Sequence, residues 1–574
     1  MTDPPHAQPI DIEAAIQVRG RRLLADVRPE RLITLSPAWW QERLMGWATS
    51  DPAFRVKLLR FVDVLPSLRT SAAVAGHVRQ YFREDSPAPV RLGSVVADAR
   101  AFRPVLSRVV RQGVFTMADR FIGGSTPAEA SPRLAGLVEG GTAYTVDLLG
   151  EAILSEVEAE AYLQRYLELI ATLASNSTAN VDAAIRKPNV SVKLSALTSH
   201  FEPAAPDAVA EAVSRRFVPL LREAREQGVF INIDMEQYRY KDLTHHVFER
   251  VLGSPEFADW RGAGIVVQAY LRDAPDDIAR LREFAAQRGT PITVRLVKGA
   301  YWDEEVVVAR QESRRSPAFE DKAATDANYE RCSQLLVDAY PHLRPAFGTH
   351  NPRTIIQAMV RVESAGLPRE DVEFQMLYGM AEGLRRAVQE AGYRTRVYVP
   401  VGEILPGMAY LVRRLLENTS NESWLVHRHE EGDPADLLRA PAPAKAATVA
   451  PAGFVNAPPA EFYRPEVRAE MTGALARARS RFGSRYPLVI GGSEVEPQEW
   501  DEVRCPAALG IVVGVVGRGG AEHAERAVAA AAQAFPAWRD TPAGERAVIL
   551  RRAADLLSER RFDFAATMVF ECAK

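Results

Sequence analysis

Between residues 142 and 402 the chain repeats one pattern eight times, a short β-prone apolar run followed by a segment of helical periodicity. The runs are TAYTVDLL, VSVKLSAL, VFINIDM, IVVQAYL, ITVRLVKG, RPAFGTH, VEFQMLYG and RTRVYVPVG. Between them lie amphipathic segments such as AEAVSRRFVPLLREAREQG, DDIARLREFAAQRG and IIQAMVRVESAG. Strands that are apolar on both faces need cover on both faces, so helices alternating with them imply a parallel sheet. Eight such units predict an α/β fold of the closed (β/α)8 barrel type. An open doubly wound sheet is the alternative, because counting repeats does not establish closure.

The flanks read differently. Residues 1–135 show helical periodicity with polar breaks, as in RVKLLRFVDVLPSL and SPAWWQERLMGWA. In the latter, Ser36 is the expected N-cap, Pro37 opens the helix, and Trp39 and Trp40 read as packing residues. The barrel is expected over 136–430, an Ala/Pro-rich linker over 431–452, and a third segment over 453–574. That segment carries a strand pair around YPLVIGGSEV and a long helical region, and it stops inside a helical pattern. A 574-residue chain suits roughly two to four domains. A net charge of −3 offers no general attraction to nucleic acid or to an anionic bilayer. Three widely spaced cysteines, no secretory leader pattern and no apolar run of membrane-spanning length fit a reducing cytoplasm.

In a parallel barrel, ligands meet the C-terminal strand ends. Those ends carry Lys193, Asp234, Glu236, Gln268, Arg295, Lys298, Tyr301, Trp302, Thr349, His350, Asn351, Tyr378 and Tyr398. Asn351, followed by Pro352, is also placed to cap a helix. Taken singly, each has a bland reading as a surface charge or a hydrogen-bonded structural residue. Jointly they describe a barrel mouth built for a ligand, while the strand bodies stay apolar. After the last strand, Tyr410, Arg413, Arg414 and Glu417 share one helix face opposite the stripe of Met408, Leu411, Val412, Leu415 and Leu416. That face is either solvated or a carboxylate clamp, since arginine forks match carboxylate geometry. Cationic and amide donors with aromatics suit an anionic, partly flat cofactor. The chain contains no G-x-G-x-x-G, and no H-E-x-x-H or clustered ligand set that would indicate a metal. A Schiff-base lyase using Lys193 or Lys298 stays open on these grounds.

In this order, VSVKLSAL, NIDME, VVQAY, VRLVKGAYW, FGTHN, FQMLYGM and AYLVRRLLENTSNES resemble the proline dehydrogenase barrel of the bacterial proline utilization A flavoenzymes. The N-terminal region resembles that family's arm and helical domain, with no likeness to its DNA-binding module, so nucleic acid is not an expected partner. GFVNAPPAEF, YPLVIGG, AFPAWRDTPAGERAVILRRAADLL and the final ECAK resemble the start of an aldehyde dehydrogenase that acts on L-glutamate γ-semialdehyde with NAD. Ala457 and Cys572 depart from that pattern, and the matching stretch ends before the nucleophilic cysteine, so this second activity is not expected of the chain.

The resemblance implies FAD at the barrel mouth and L-proline against the flavin. It implies that Arg413, Arg414 and Lys193 bind the proline carboxylate, and that Tyr301, Leu377, Tyr398 and Tyr410 wall the ring. Asp234, Gln268, Arg295, Val297, Lys298, Gly299, Ala300, Trp302, Thr349, His350, Asn351, Glu417 and Trp424 are implied to contact FAD, with Asp234 also among the catalytic set. The implied reaction passes a hydride to flavin N5, forms Δ1-pyrroline-5-carboxylate, and sends electrons to a membrane quinone through peripheral contact with the inner membrane face. A homo-oligomer is compatible with the family. A non-catalytic truncated product is the remaining alternative.

Overall fold

The computed structural model describes residues 11–27, 43–44, 46–48, 50–83, 86–150, 153–175, 187–403, 413, 434–442 and 455–573. Backbone proximity divides the chain into two compact units, Met1–Pro458 and Pro459–Lys574.

The first unit is built around a closed eight-stranded barrel: β1 (Ala143–Leu148), β2 (Asn189–Val192), β3 (Phe230–Ile233), β4 (Ala263–Gln268), β5 (Ile292–Val297), β6 (Leu343–Gly348), β7 (Glu373–Leu377) and β8 (Arg394–Val401). Each strand is parallel to the next, and β8 returns to β1 with Thr145 opposite Tyr398, which excludes the open sheet. The central strands β1, β2 and β4 are buried along their whole length. This is why they read as unbroken apolar runs rather than alternating ones. Helices between the strands cover the outside. Pro206–Glu226, for example, buries Val209, Val213, Phe217, Leu220 and Leu221 along one stripe.

Most of the N-terminal helices begin at side-chain caps. Asp11, Asp51, Thr70 and Thr126 each accept from a first-turn backbone N–H. The helices Pro52–Val64 and Ser71–Phe82 enclose a cluster in which Phe61 meets Phe82 edge-on at 5.2 Å. This cluster includes Met380, and Leu377 of β7 and Tyr398 of β8 pack against it, so the helical region lies over one sector of the barrel mouth. Ser36, Pro37, Trp39 and Trp40 lie outside the described residues.

The first helix, Ile12–Asp26, lies against Pro352–Ser364, with Ile16, Ile356, Val360 and Leu438 forming a small core. Within the stretch read as linker, Pro434–Leu437 is helical and Leu438 is fully buried. Composition hides this local anchor because one leucine in an Ala/Pro-rich run has no periodicity to reveal it. Arg353 ties the pieces together. Its guanidinium donates to Glu13 at 2.8 and 3.0 Å, to Glu330 at 2.8 and 3.2 Å, and to the Leu438 carbonyl at 2.6 Å.

In the second unit, the helices Pro465–Arg479 and Arg561–Cys572 share Ala474, Ala478, Phe562 and Ala566 as their core. The expected strand pair is present as β10 (Leu488–Ile490) with β11 (Ser493–Val495). A three-stranded sheet accompanies it, formed by β9 (Arg485–Tyr486), β12 (Glu499–Cys505) and β13 (Ala508–Arg518). Among the described residues, no helix is long and apolar enough to cross a membrane.

Candidate functional site

The C-terminal strand ends gather one ionic network. Lys193 directly follows β2, and its Nζ lies 2.5 Å from Asp147 Oδ1 at the end of β1 and 3.8 Å from Asp234 Oδ2 after β3. Arg295 of β5 reaches across the barrel. Its Nη1 donates to Asp234 Oδ1 at 2.9 Å, and Nη1 and Nη2 donate to Ser191 Oγ at 3.3 and 3.2 Å. Tyr398 donates its hydroxyl to Asp234 Oδ2 at 2.7 Å, and the Arg295 guanidinium lies 5.4 Å from its ring centre. Asp234 therefore collects an arginine, a tyrosine and the field of a lysine.

Burial sets the electrostatics of this cluster. It would push the Lys193 ammonium down, but the Asp147 and Asp234 carboxylates outweigh it and hold Lys193 protonated, above the ordinary lysine range. Burial raises the Asp147 carboxyl, Lys193 counteracts this, and Asp234 adds to the rise. The Tyr398 hydroxyl is driven well up by burial and by both carboxylates, so it remains a donor. Two cations face two carboxylates, and the cluster is close to neutral.

A second group surrounds the end of β5. Gly299 has φ +129°, and a Cβ there would lie 1.7 Å from Tyr270 Cδ1. Only glycine lets the backbone pass that ring. Val297 ends β5, Lys298 and Ala300 flank Gly299, and Tyr301 precedes the helix Trp302–Gln311. Lys298 pairs with Asp326, which also takes Lys322 at 2.8 Å; burial lowers Lys298 despite that partner. Trp302, 38% exposed, donates its indole N–H to the Phe319 carbonyl at 2.6 Å. Gln268 at the end of β4 donates to the Glu236 carbonyl at 3.2 Å, leaving its Oε1 buried with no partner among the described residues. Glu236 itself accepts from Ser195 at 2.8 Å.

After β6, Thr349 accepts from the Asn351 N–H at 3.1 Å, and Asn351 caps the following helix by accepting from Thr354 N at 3.0 Å. His350 Nε2 accepts from the Leu377 N–H at 3.0 Å, which leaves the ring proton on Nδ1. Arg413 lies with its guanidinium carbon 5.5 Å from the Tyr301 ring centre, and its Nε is buried with no partner among the described residues. Tyr410, Arg414, Glu417 and Trp424 lie outside the described residues.

Lys193, Asp234, Arg295 and Tyr398 thus form one network, and Arg413 meets Tyr301. Outside that network, Thr349 is hydrogen-bonded to Asn351 and His350 to Leu377. Reading strand ends passed over Asp147, Ser191 and Asp326. A carboxylate inside the apolar run TAYTVDLL was a usable signal for Asp147. Asp326 lies on the helix Lys322–Asp338, and nothing in its local pattern marks it. Among the described residues, Gln268 Oε1, Arg295 Nε and Arg413 Nε are buried without partners and supply one acceptor and two donors, which fits a polar, anionic cofactor with hydrogen-bonding edges. Among the described residues, no group of three or more His, Cys, Asp or Glu could hold a metal.

Comparison with known proteins adds three family matches. The profile described as Proline dehydrogenase matches residues 130–427, Proline utilization A N-terminal domain matches 13–121, and Aldehyde dehydrogenase family matches 495–574. Bifunctional protein PutA of Escherichia coli (strain K12) is 31% identical over 501 residues, covering 82% of this chain and 37% of that protein. Proline dehydrogenase of Deinococcus radiodurans is 31% identical over 330 residues, covering 57% of this chain and 94% of that protein. The crystal structure of proline utilization A from Bdellovibrio bacteriovorus inactivated by N-propargylglycine superposes with a TM-score of 0.89 at 38% identity. That match covers 98% of this chain and 58% of that one. The chain therefore spans well under two thirds of the PutA relatives it resembles.

Proposed function

Because the chain belongs to the proline dehydrogenase family, we propose that its barrel oxidises L-proline to Δ1-pyrroline-5-carboxylate with FAD, in proline catabolism toward glutamate. The observation that supports this best is the mouth itself, where a closed ionic network leaves the Arg413 Nε and the Gln268 Oε1 with no partner among the described residues. Asp234, Gln268, Arg295, Val297, Lys298, Gly299, Ala300, Trp302, Thr349, His350 and Asn351 are the residues we assign to holding FAD, with Glu417 and Trp424. Bound FAD supplies the hydride acceptor, chemistry that no side chain provides.

The protein positions the substrate and controls charge. Lys193 and Arg295 are matched by Asp147 and Asp234, and we assign the substrate carboxylate to Arg413, whose Nε has no partner among the described residues, together with Arg414. Lys193 acts as a neighbouring donor whose ammonium form is favoured by Asp147 and Asp234. Tyr301, Tyr398, Leu377 and Tyr410 wall the pyrrolidine ring and exclude water, and Tyr398 is fixed by its bond to Asp234. A Schiff base at Lys193 is disfavoured, because a protonated amine is no nucleophile. We assign a membrane quinone as final electron acceptor through peripheral contact. Oxidation of L-glutamate γ-semialdehyde with NAD we assign to the longer relatives, and we give Cys572 no catalytic role.

The test is direct. The purified chain, incubated with FAD and passed over a desalting column, should retain flavin absorbance and reduce an artificial electron-accepting dye only when L-proline is present. A protein that stays colourless, or a bound flavin indifferent to proline, would refute the assignment.

A further inference from the structure

The opposite end of the barrel holds a second cavity, about 340 Å³ in volume and walled by residues at the N-terminal ends of β2, β3, β5, β6, β7 and β8. Lys187, Arg261, Arg344, Arg394 and Arg396 line it. Among the described residues, two carboxylates, Asp371 and Glu373, line it with them. Both are already engaged. Glu373 accepts from Arg394 Nε at 3.1 Å and from Arg396 Nε and Nη2 at 2.9 and 3.0 Å. Asp371 accepts from the Tyr340 hydroxyl at 2.9 Å and pairs with Arg344 at 3.4 Å. Lys187 and Arg261 have no carboxylate partner among the described residues, and three positive charges are in excess around the cavity.

Two further observations point to a guest. The Lys187 ammonium is pushed below its ordinary range by burial and then by Arg396 and Arg344, so its surroundings lack a compensating anion. Gln375, also lining the cavity, donates to Glu373 at 2.5 Å and leaves its Oε1 buried with no partner among the described residues. An arginine and glutamate plug that served stability alone would match its charges. This one is half matched, and it offers one spare acceptor beside spare cations.

From this arrangement we propose that the N-terminal mouth of the barrel binds a small hydroxylated polyanion, its acidic groups held by Lys187, Arg261 and Arg344 and its hydroxyl by Gln375. Carboxylate and phosphate share that chemistry, because guanidinium forks match both. A hydroxy-polycarboxylate and a polyol phosphate are the two sources.

Calorimetric titration of the FAD-loaded protein with citrate and, separately, with glycerol 3-phosphate, at ionic strength held constant with sodium chloride, tests the site. At least one should bind stoichiometrically, and the tighter of the two assigns the acidic group. The Lys187→Ala/Arg261→Ala double variant should weaken that binding by about tenfold or more, the loss expected for charge-assisted bonds. Lys187 and Arg261 stand at the rim, each keeping part of its surface in solvent and outside the Glu373 network, and Arg344→Ala provides an independent variant. An unchanged melting temperature without ligand shows that each variant is folded. Absence of binding by both probes, equal binding by wild type and variants, or displacement of the bound probe by proline would overturn the proposal.

Discussion

Arg413 illustrates how a single side chain takes its meaning from its neighbours. On a helical wheel it belongs to a polar face that could equally be solvated. In the structure its Nε is buried beside the Tyr301 ring with no partner among the described residues, while the Lys193 and Arg295 cations are already matched by Asp147 and Asp234. If the proposed clamp is right, Arg413→Met removes a charge-assisted bond worth about 1.5–3 kcal/mol, raising the KM for proline roughly tenfold to a hundredfold. Steady-state kinetics at saturating dye would check this, and a KM within twofold of wild type would show that the carboxylate is held elsewhere. Residue identity at the strand ends was legible beforehand, because polar side chains stand out against apolar strands. Pairing was not. Lys193 and Asp147 are 46 residues apart and Tyr398 and Asp234 are 164 apart, separations that no local pattern encodes.

The loop after β5 shows the same division at the level of an element. Its sequence, VKGAYW, announces a turn at glycine between a strand and a helix. The need for glycine is specific, because at φ +129° with the Tyr270 ring against it a methyl group has no room. Gly299→Ala should therefore cost stability on the order of 1–3 kcal/mol and displace Lys298 and Ala300, lowering the flavin-to-protein ratio of the purified protein. A thermal melt together with flavin absorbance would test both effects. A variant with the wild-type melting temperature and full flavin content would contradict the assigned role of this loop. The arm helix Ile12–Asp26 was expected to be helical, but its seat on Pro352–Ser364 became visible only with Arg353, which joins Glu13, Glu330 and the Leu438 carbonyl.

At the scale of the whole molecule, closure of the barrel creates two mouths lined by ionic side chains, and the N-terminal one carries a measurable pH signature. Burial would raise Glu373, but Arg396 and Arg394 outweigh it and hold the carboxyl at about 2, against an ordinary 4.5. A carboxyl whose pKa is lowered by folding stabilises the folded state above its unfolded value, and that contribution is lost as pH falls from about 4.5 toward 2. The native melting temperature should decline over that interval. Glu373→Gln should flatten the decline while lowering stability near pH 7 by about 3–5 kcal/mol, because Arg394 and Arg396 lose their partner. Melting curves across the acid range decide the matter, and parallel slopes for both proteins would refute it.

The sequence by itself determined the number, order and type of the barrel elements, since burial on both strand faces gives short unbroken apolar runs and burial on one helix stripe imposes a period of about 3.6. It also determined which end of the strands would carry polar chemistry. Tertiary structure alone decided that β8 closes on β1, that Asp147 and Asp234 absorb the charge of Lys193 and Arg295, and that Arg413 Nε is buried with no partner among the described residues. It also decided that cations outnumber carboxylates at the far mouth. The reason is physical. Backbone periodicity is set within a few residues, whereas an ion pair depends on distance in space, which only strand register and closure fix.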